Sequence, residues 1–321
     1  KLGINLANVN PKKIKIYGNR GGRLPEANSI ERIDDLEQLH IKVVGEEDGK
    51  FDNNDFVLFY AEGADTWTYQ KTTNSFVFDK NIYENNNYYF IKIDNTDGIR
   101  IAQANTIDGP AGEVSEYYDM IQRLEEDKFN LLGNFASTEG TGKEWYGDGF
   151  NNSLREKVYS SKFDFTGLDV SKPIEVEMLF AGRSKSSSNV TLSLGSKTLS
   201  KIISSVSVTD IESTYARKAI IKENFTISDQ NPAVKLGYSG TSSDAEGWID
   251  YLQISYQKYL NLNNNQLPFR NKALKTVDIA GLKLNNFTDQ EIWDVTDPSS
   301  PTIVKIVNNI LKYQPNGDVR E

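Results

Sequence analysis

Apolar and polar residues alternate over short runs along this chain. Lys13-Ile14-Lys15-Ile16-Tyr17 switches at every step and breaks at Gly18. A period of two places Ile14 and Ile16 on one face of a strand and the two lysines on the other. Residues 41–44 and 56–60 are further β-rich runs, separated by an acidic stretch with an Asp48-Gly49 turn. Residues 88–93 and 99–102 flank Asn95-Thr96-Asp97-Gly98, whose turn chemistry predicts a hairpin. Gly109-Pro110-Ala111-Gly112 reads as a linker. Beyond it, Val114, Tyr117, Tyr118, Ile121 and Leu124 fit helical spacing over about three turns, and fit an extended crossing as well. The polar, glycine-containing stretch 138–149 reads as a loop.

Strand patterns then resume at 161–165, 174–180, 190–194, 219–227, 233–238 and 248–256, with serine-rich loops between them. Gly247-Trp248-Ile249-Asp250-Tyr251-Leu252-Gln253-Ile254 alternates throughout, and Trp248, Asp250, Leu252 and Ile254 are expected on one face. After the polar Asn263-Asn264-Asn265, two strands are expected within 275–284 and 302–307. Asp297-Pro298 initiates a turn between them. The fold class is therefore all-β. Residues 1–110 make an N-terminal β domain, 111–260 a jelly-roll-like β-sandwich, and 261–321 a closing β segment. That segment is too short to bury a core of its own. It is expected to pack back onto the N-terminal domain, which makes the sandwich an insertion in a discontinuous domain.

Composition narrows the chemistry. The chain has 321 residues, no cysteine and one histidine, His40. A cysteine nucleophile and a thiolate zinc site are excluded, and a serine triad would have to run through His40 alone. A net charge of −9 leaves no basic face for nucleic acid. Lys1-Leu2-Gly3-Ile4 lacks the basic and apolar regions of a secretory leader, so the chain is expected to be cytosolic or to begin inside a longer precursor.

Four groups of residues could carry chemistry. Glu46, Asp48, Asp52 and Asp55, spaced around Gly49, approach the ligand pattern of a calcium loop, but Val44 occupies its first position. An acidic surface turn accounts for the same residues without a metal. Trp145 and Tyr146, and also Trp67 and Tyr69, could stack on sugar rings or meet a partner, although aromatics in sandwiches more often fill cores. Glu175 and Glu177 share a strand face, whereas a glycosidase needs its second carboxylate across a cleft. Gly18-Asn19-Arg20-Gly21-Gly22 and Gly237-Tyr238-Ser239-Gly240 complete neither a phosphate loop nor a nucleophile elbow.

An ordered set of phrases resembles one family. They run from Pro11-Lys12-Lys13-Ile14-Lys15-Ile16-Tyr17-Gly18 and Gly21-Gly22-Arg23-Leu24-Pro25-Glu26 to Asp48-Gly49-Lys50-Phe51-Asp52. Asn81-Ile82-Tyr83, Asn130-Leu131-Leu132 and Gly142-Lys143-Glu144-Trp145-Tyr146-Gly147-Asp148 continue the set. Trp248-Ile249-Asp250-Tyr251, Pro268-Phe269-Arg270 and Ile292-Trp293-Asp294-Val295-Thr296-Asp297-Pro298 close it. The order is similar to the region preceding the peptidase domain of the PorU-like family, the gingipain-like cysteine peptidases that act as signal peptidases, or sortases, of the type IX secretion system in Bacteroidetes. The family's catalytic Cys and His lie downstream of this region, so neither carries over. The resemblance implies a non-catalytic fragment at the cell surface, associated with the outer membrane. Its implied partners are the peptidase domain of its own chain, a PorV-type outer-membrane barrel and the attachment complex. The residues alone leave open a carbohydrate-binding or adhesin module, and a hydrolase using carboxylates.

Overall fold

A computed structural model describes residues 9–131, 144–210, 213–263 and 266–321. The chain start Lys1-Leu2-Gly3-Ile4, Leu132, Gly142-Lys143, the first half of the 138–149 loop and Asn264-Asn265 lie outside the described residues. The described part is mainly β, and its chain divides into two compact units. One is Tyr117–Leu260; the other combines Lys1–Glu116 with Asn261–Glu321. No helix among the described residues is long and apolar enough to cross a membrane.

The continuous unit is a two-sheet sandwich. Its first sheet runs Tyr117–Glu125, Glu246–Tyr259, Ile174–Arg183, Arg217–Phe225, with Gly149–Asn151 also paired to Glu246–Tyr259. The second runs Glu156–Val158, Val234–Gly240, Ser188–Leu194, Lys197–Ile203. Every pairing in both sheets is antiparallel. Alternation in Ile174–Arg183 buries Ile174, Val176, Met178 and Phe180 on one face. These meet Val190, Leu192, Leu194 and Leu236 from the other sheet, and the Phe180 and Tyr238 rings sit 5.5 Å apart.

The stretch 114–124 is not a helix. Tyr117–Glu125 lies antiparallel against Glu246–Tyr259 over nine residue pairs. Helical spacing would set Tyr117 and Tyr118 on one face, three and four residues after Val114. In the strand they take opposite faces: the Tyr117 ring packs 4.3 Å from that of Tyr259, while Tyr118 is buried. The run 161–165 also departs from expectation, since Ser160–Lys162 is a 3-10 turn that delivers Phe163 and Phe165 to the core.

The discontinuous unit is a set of small sheets. Ile14–Gly18 is flanked by Glu37–Leu39 and Phe90–Ile93, and Ile41–Val44 pairs with Phe56–Phe59. Ile14, Ile16, Leu39, Ile41 and Val43 make their shared core. The hairpin expected across Asn95–Gly98 does not form, because Phe90–Ile93 pairs with Ile14–Gly18 while Ile99 and Ile101 bond the backbone of Ile41. The intervening turn is held against the first strand: the Gly98 N–H donates to the Lys12 carbonyl at 2.8 Å. A Cβ at Gly98 would stand 2.3 Å from the Ile14 carbonyl oxygen, so only glycine fits. Thr66–Gln70 and Ser75–Asp79 form a hairpin that the pattern did not announce.

The closing segment adds strands to this unit. Ala280–Lys283 lies parallel to Glu113–Ser115 and antiparallel to Ile310–Tyr313. Thr302–Val304 lies parallel to Ala102–Gln103 and antiparallel to Ile292–Asp294, which carries Trp293. Parallel pairs cannot be made by a tight turn. Here the residues between each pair include the whole of Tyr117–Leu260.

Candidate functional site

The acidic turn folds around its own backbone. Glu46–Asp48 is a 3-10 turn between Gly45 and Gly49, both with positive φ, and a Cβ on Gly45 would collide with the Asp55 carboxylate. Asp55 accepts from the Asp52 N–H at 2.7 Å, and Asp48 accepts from the Lys50 N–H at 2.9 Å. Glu46 turns away to an ion pair with Arg100 at 2.7 Å. The carboxylates of Asp48 and Asp55 thus serve turn closure and that of Glu46 an ion pair, while Asp52 contributes its backbone N–H. Among the described residues, no three acidic, histidine or cysteine side chains are grouped so as to hold a metal.

Trp145 and Tyr146, adjacent in sequence, have opposite environments. Trp145 is exposed, whereas Tyr146 is only 2% exposed and packs with Ala181 and Trp248. The backbone of Tyr146 bridges to Phe129, and its hydroxyl donates to Glu144 at 3.2 Å. Burial, with Glu144 and Asp250 nearby, pushes that hydroxyl far above the ordinary tyrosine range. Glu177 lies on the sheet face between Lys222 at 2.6 Å and the Tyr251 hydroxyl at 2.7 Å. Burial pushes its carboxyl up, but these two partners outweigh burial and hold it below its ordinary value.

The alternation argument missed the most perturbed carboxyl of this face. Asp250 sits where Glu246–Tyr259 bulges: Phe180 pairs with Ile249 and Leu179 with Tyr251, so Asp250 has no partner residue on that strand. The bulge separates it from Leu252, which goes to the core, and leaves Asp250 half-buried. Burial and the neighbouring Glu125 and Glu144 push its carboxyl up to about 7, against the opposing pull of Arg123 and Lys218. Arg123 is occupied by Glu125 at 2.6 Å and by Gln253 at 3.0 Å, and its guanidinium covers the Tyr251 ring at 3.6 Å. Lys218 is paired with Glu144. This face can hold a proton near neutrality. Its signal in the sequence was one acidic residue on the apolar side of a β repeat.

The discontinuous unit contains a pocket of about 210 Å³. Leu282, Ile292, Val304 and Leu311 line it, with Phe269 and Trp293. Arg320 and Asp294 also border it, 3.7 Å apart. His40 is elsewhere; its backbone N–H donates to the Ser299 carbonyl, and its Nδ1 is buried without a hydrogen-bond partner among the described residues.

No family model matches the chain, and no curated protein matches it. The structure is similar to dimeric latent PorU from Porphyromonas gingivalis, with a TM-score of 0.72 and 18% identity. The match covers 94% of this chain and 27% of that one, so the chain spans about a quarter of the relative's length. Two CBM36 carbohydrate-binding modules, one solved with calcium and xylotriose and one from a xylanase of the Trinervitermes trinervoides hindgut metagenome, give TM-scores of 0.22 and 0.24 at 10% and 13% identity. They cover 33% and 42% of this chain, and 77% and 95% of their own. Scores that low carry no weight for the sandwich. Across nearly its whole length, the chain has the fold of a part of PorU.

Proposed function

We propose that this chain is the non-catalytic region that positions and docks a following cysteine peptidase domain in a PorU-like signal peptidase of the type IX secretion system. The observation that carries the reading is a fold match running through both units, over 94% of this chain but 27% of latent PorU. The absence of cysteine from the sequence supports it, because the chain cannot supply a thiolate nucleophile. On this reading the protein acts at the cell surface with the outer membrane, a PorV-type barrel and the attachment complex. Of the Trp145-Tyr146 pair, glycan capture by the sandwich could use only Trp145, since Tyr146 is covered. The test is to mix the chain with the separately produced peptidase domain of the same precursor and measure binding by calorimetry. Saturable one-to-one binding, together with no peptide cleavage by the chain alone, is expected. A chain that cleaves signal peptides unless His40 is replaced, or that does not bind the domain, would overturn the proposal.

A further inference from the structure

The pocket of the discontinuous unit has an apolar interior and, at its edge, an arginine whose guanidinium meets its acidic partner Asp294 only at 3.7 Å. Leu282, Ile292 and Leu311 are buried apolar residues supplied by three different strands. Phe269 and Trp293 add aromatic surface, and the Trp293 ring N–H is already donated to Glu291 at 2.6 Å. Such a lining favours a ligand body that is apolar or aromatic.

The charged groups around it differ in how fully they are used. Lys312 donates to the carbonyl of Gly109 at 2.6 Å and sits 3.4 Å from that of Ile107. Glu321 is held by Arg270 at 2.9 Å. Asp294 accepts from the Thr296 N–H through one carboxylate oxygen. Arg320 stands apart. Its side chain is 35% exposed, and its contact with Asp294 is 3.7 Å long, outside hydrogen-bond range. Among the described residues its guanidinium makes no hydrogen bond at all. A planar fork with five N–H donors beside an apolar cavity matches a carboxylate, which it can take through two parallel bonds.

We infer that this pocket binds a monocarboxylate with an apolar or aromatic body, the carboxylate on Arg320 and the body against Trp293 and Phe269. The carboxylate belongs either to a free small acid or to the C-terminus of a peptide. Asp294 competes for the same guanidinium, so it tunes affinity downward. The pocket's own lining carries this inference, and the peptidase-docking proposal is no part of its grounds.

The experiment uses the whole 321-residue chain and titration calorimetry. The probes are 3-phenylpropionate, 3-phenylpropionamide, and a short peptide ending in Phe with its C-terminus free or amidated. At least one of the two carboxylates should bind, and its amide should bind at least tenfold more weakly. The tighter of the two carboxylates names the source, and either result supports the site. Arg320→Gln should abolish binding, Arg320→Lys should restore part of it, and Asp294→Asn should tighten it severalfold. Equal affinity for acid and amide, or no heat from either carboxylate at millimolar concentration, overturns the inference. The acid-against-amide comparison needs no variant, so it decides the matter even if Arg320→Gln does not fold.

Discussion

At the scale of single residues, Asp250 makes the sharpest claim. Its folded pKa of about 7 lies above the roughly 3.9 of an unfolded aspartate. The folded state therefore holds the proton more tightly. The resulting stabilisation is complete below about pH 4 and is lost as the pH rises through 7. Solvent screening at this half-buried position reduces the effect to about 1–2 kcal/mol. Asp250→Asn, which cannot ionise, should gain about that much stability relative to the unmodified chain between pH 5 and pH 8.5, read from urea melts at both. The same difference at the two pH values would refute the assignment. The acidic turn makes a second claim. Asp55 closes it through the Asp52 N–H, so Asp55→Ala should cost about 1 kcal/mol. With Glu46 committed to Arg100, the melting temperature should be equal in chelator and in millimolar calcium. A calcium-dependent rise that Asp52→Ala removes would reinstate the cation.

At the scale of elements, period-two patterns were legible in the strands of the sandwich core, but not in Tyr117–Glu125 or in the hairpin that buries Phe76. Ser188–Leu194 and residues 174–180 announce themselves because every second residue is buried, whereas Ile14–Gly18 buries Lys15 as well as Ile14 and Ile16. Pairing was not legible. Asn95–Gly98 has hairpin chemistry, yet its flanking segments bond to Ile14–Gly18 and to Ile41, because long-range partners outcompete the local one. Gly98→Ala tests that arrangement: the new Cβ would force the turn off the Ile14 carbonyl and should cost about 2–4 kcal/mol in a denaturant melt. A loss under 0.5 kcal/mol would mean that the turn is free to move. The candidate sites were legible in part. Trp145 is exposed as a binding residue must be, while Tyr146 is core, and nothing local distinguishes two neighbouring aromatics. Asp250 was visible as a misplaced acid, but its bulge depends on the register with Ile174–Arg183, which no window of sequence encodes. The pocket gathers side chains from 104 to 321, far beyond the reach of any motif.

At the scale of the whole molecule, each unit has its own core, and the sandwich begins and ends on paired strands. Tyr117 is the register partner of Tyr259, which puts the two ends of Tyr117–Leu260 about 5 Å apart. Residues 117–260 produced alone should therefore unfold in one cooperative transition, with coincident far-UV and fluorescence melts. A non-cooperative melt would show that the sandwich needs its host. The parallel pairings of Glu113–Ser115 with Ala280–Lys283, and of Ala102–Gln103 with Thr302–Val304, have a mechanical consequence. Tension applied between the front of the chain and Glu321 is borne first by those clasps inside the host unit. In sequence, the sandwich lies within the loop that those clasps close. Under load it would stay folded until the clasps part, and a pulling trace should then show the release of its residues only after the host unit has yielded.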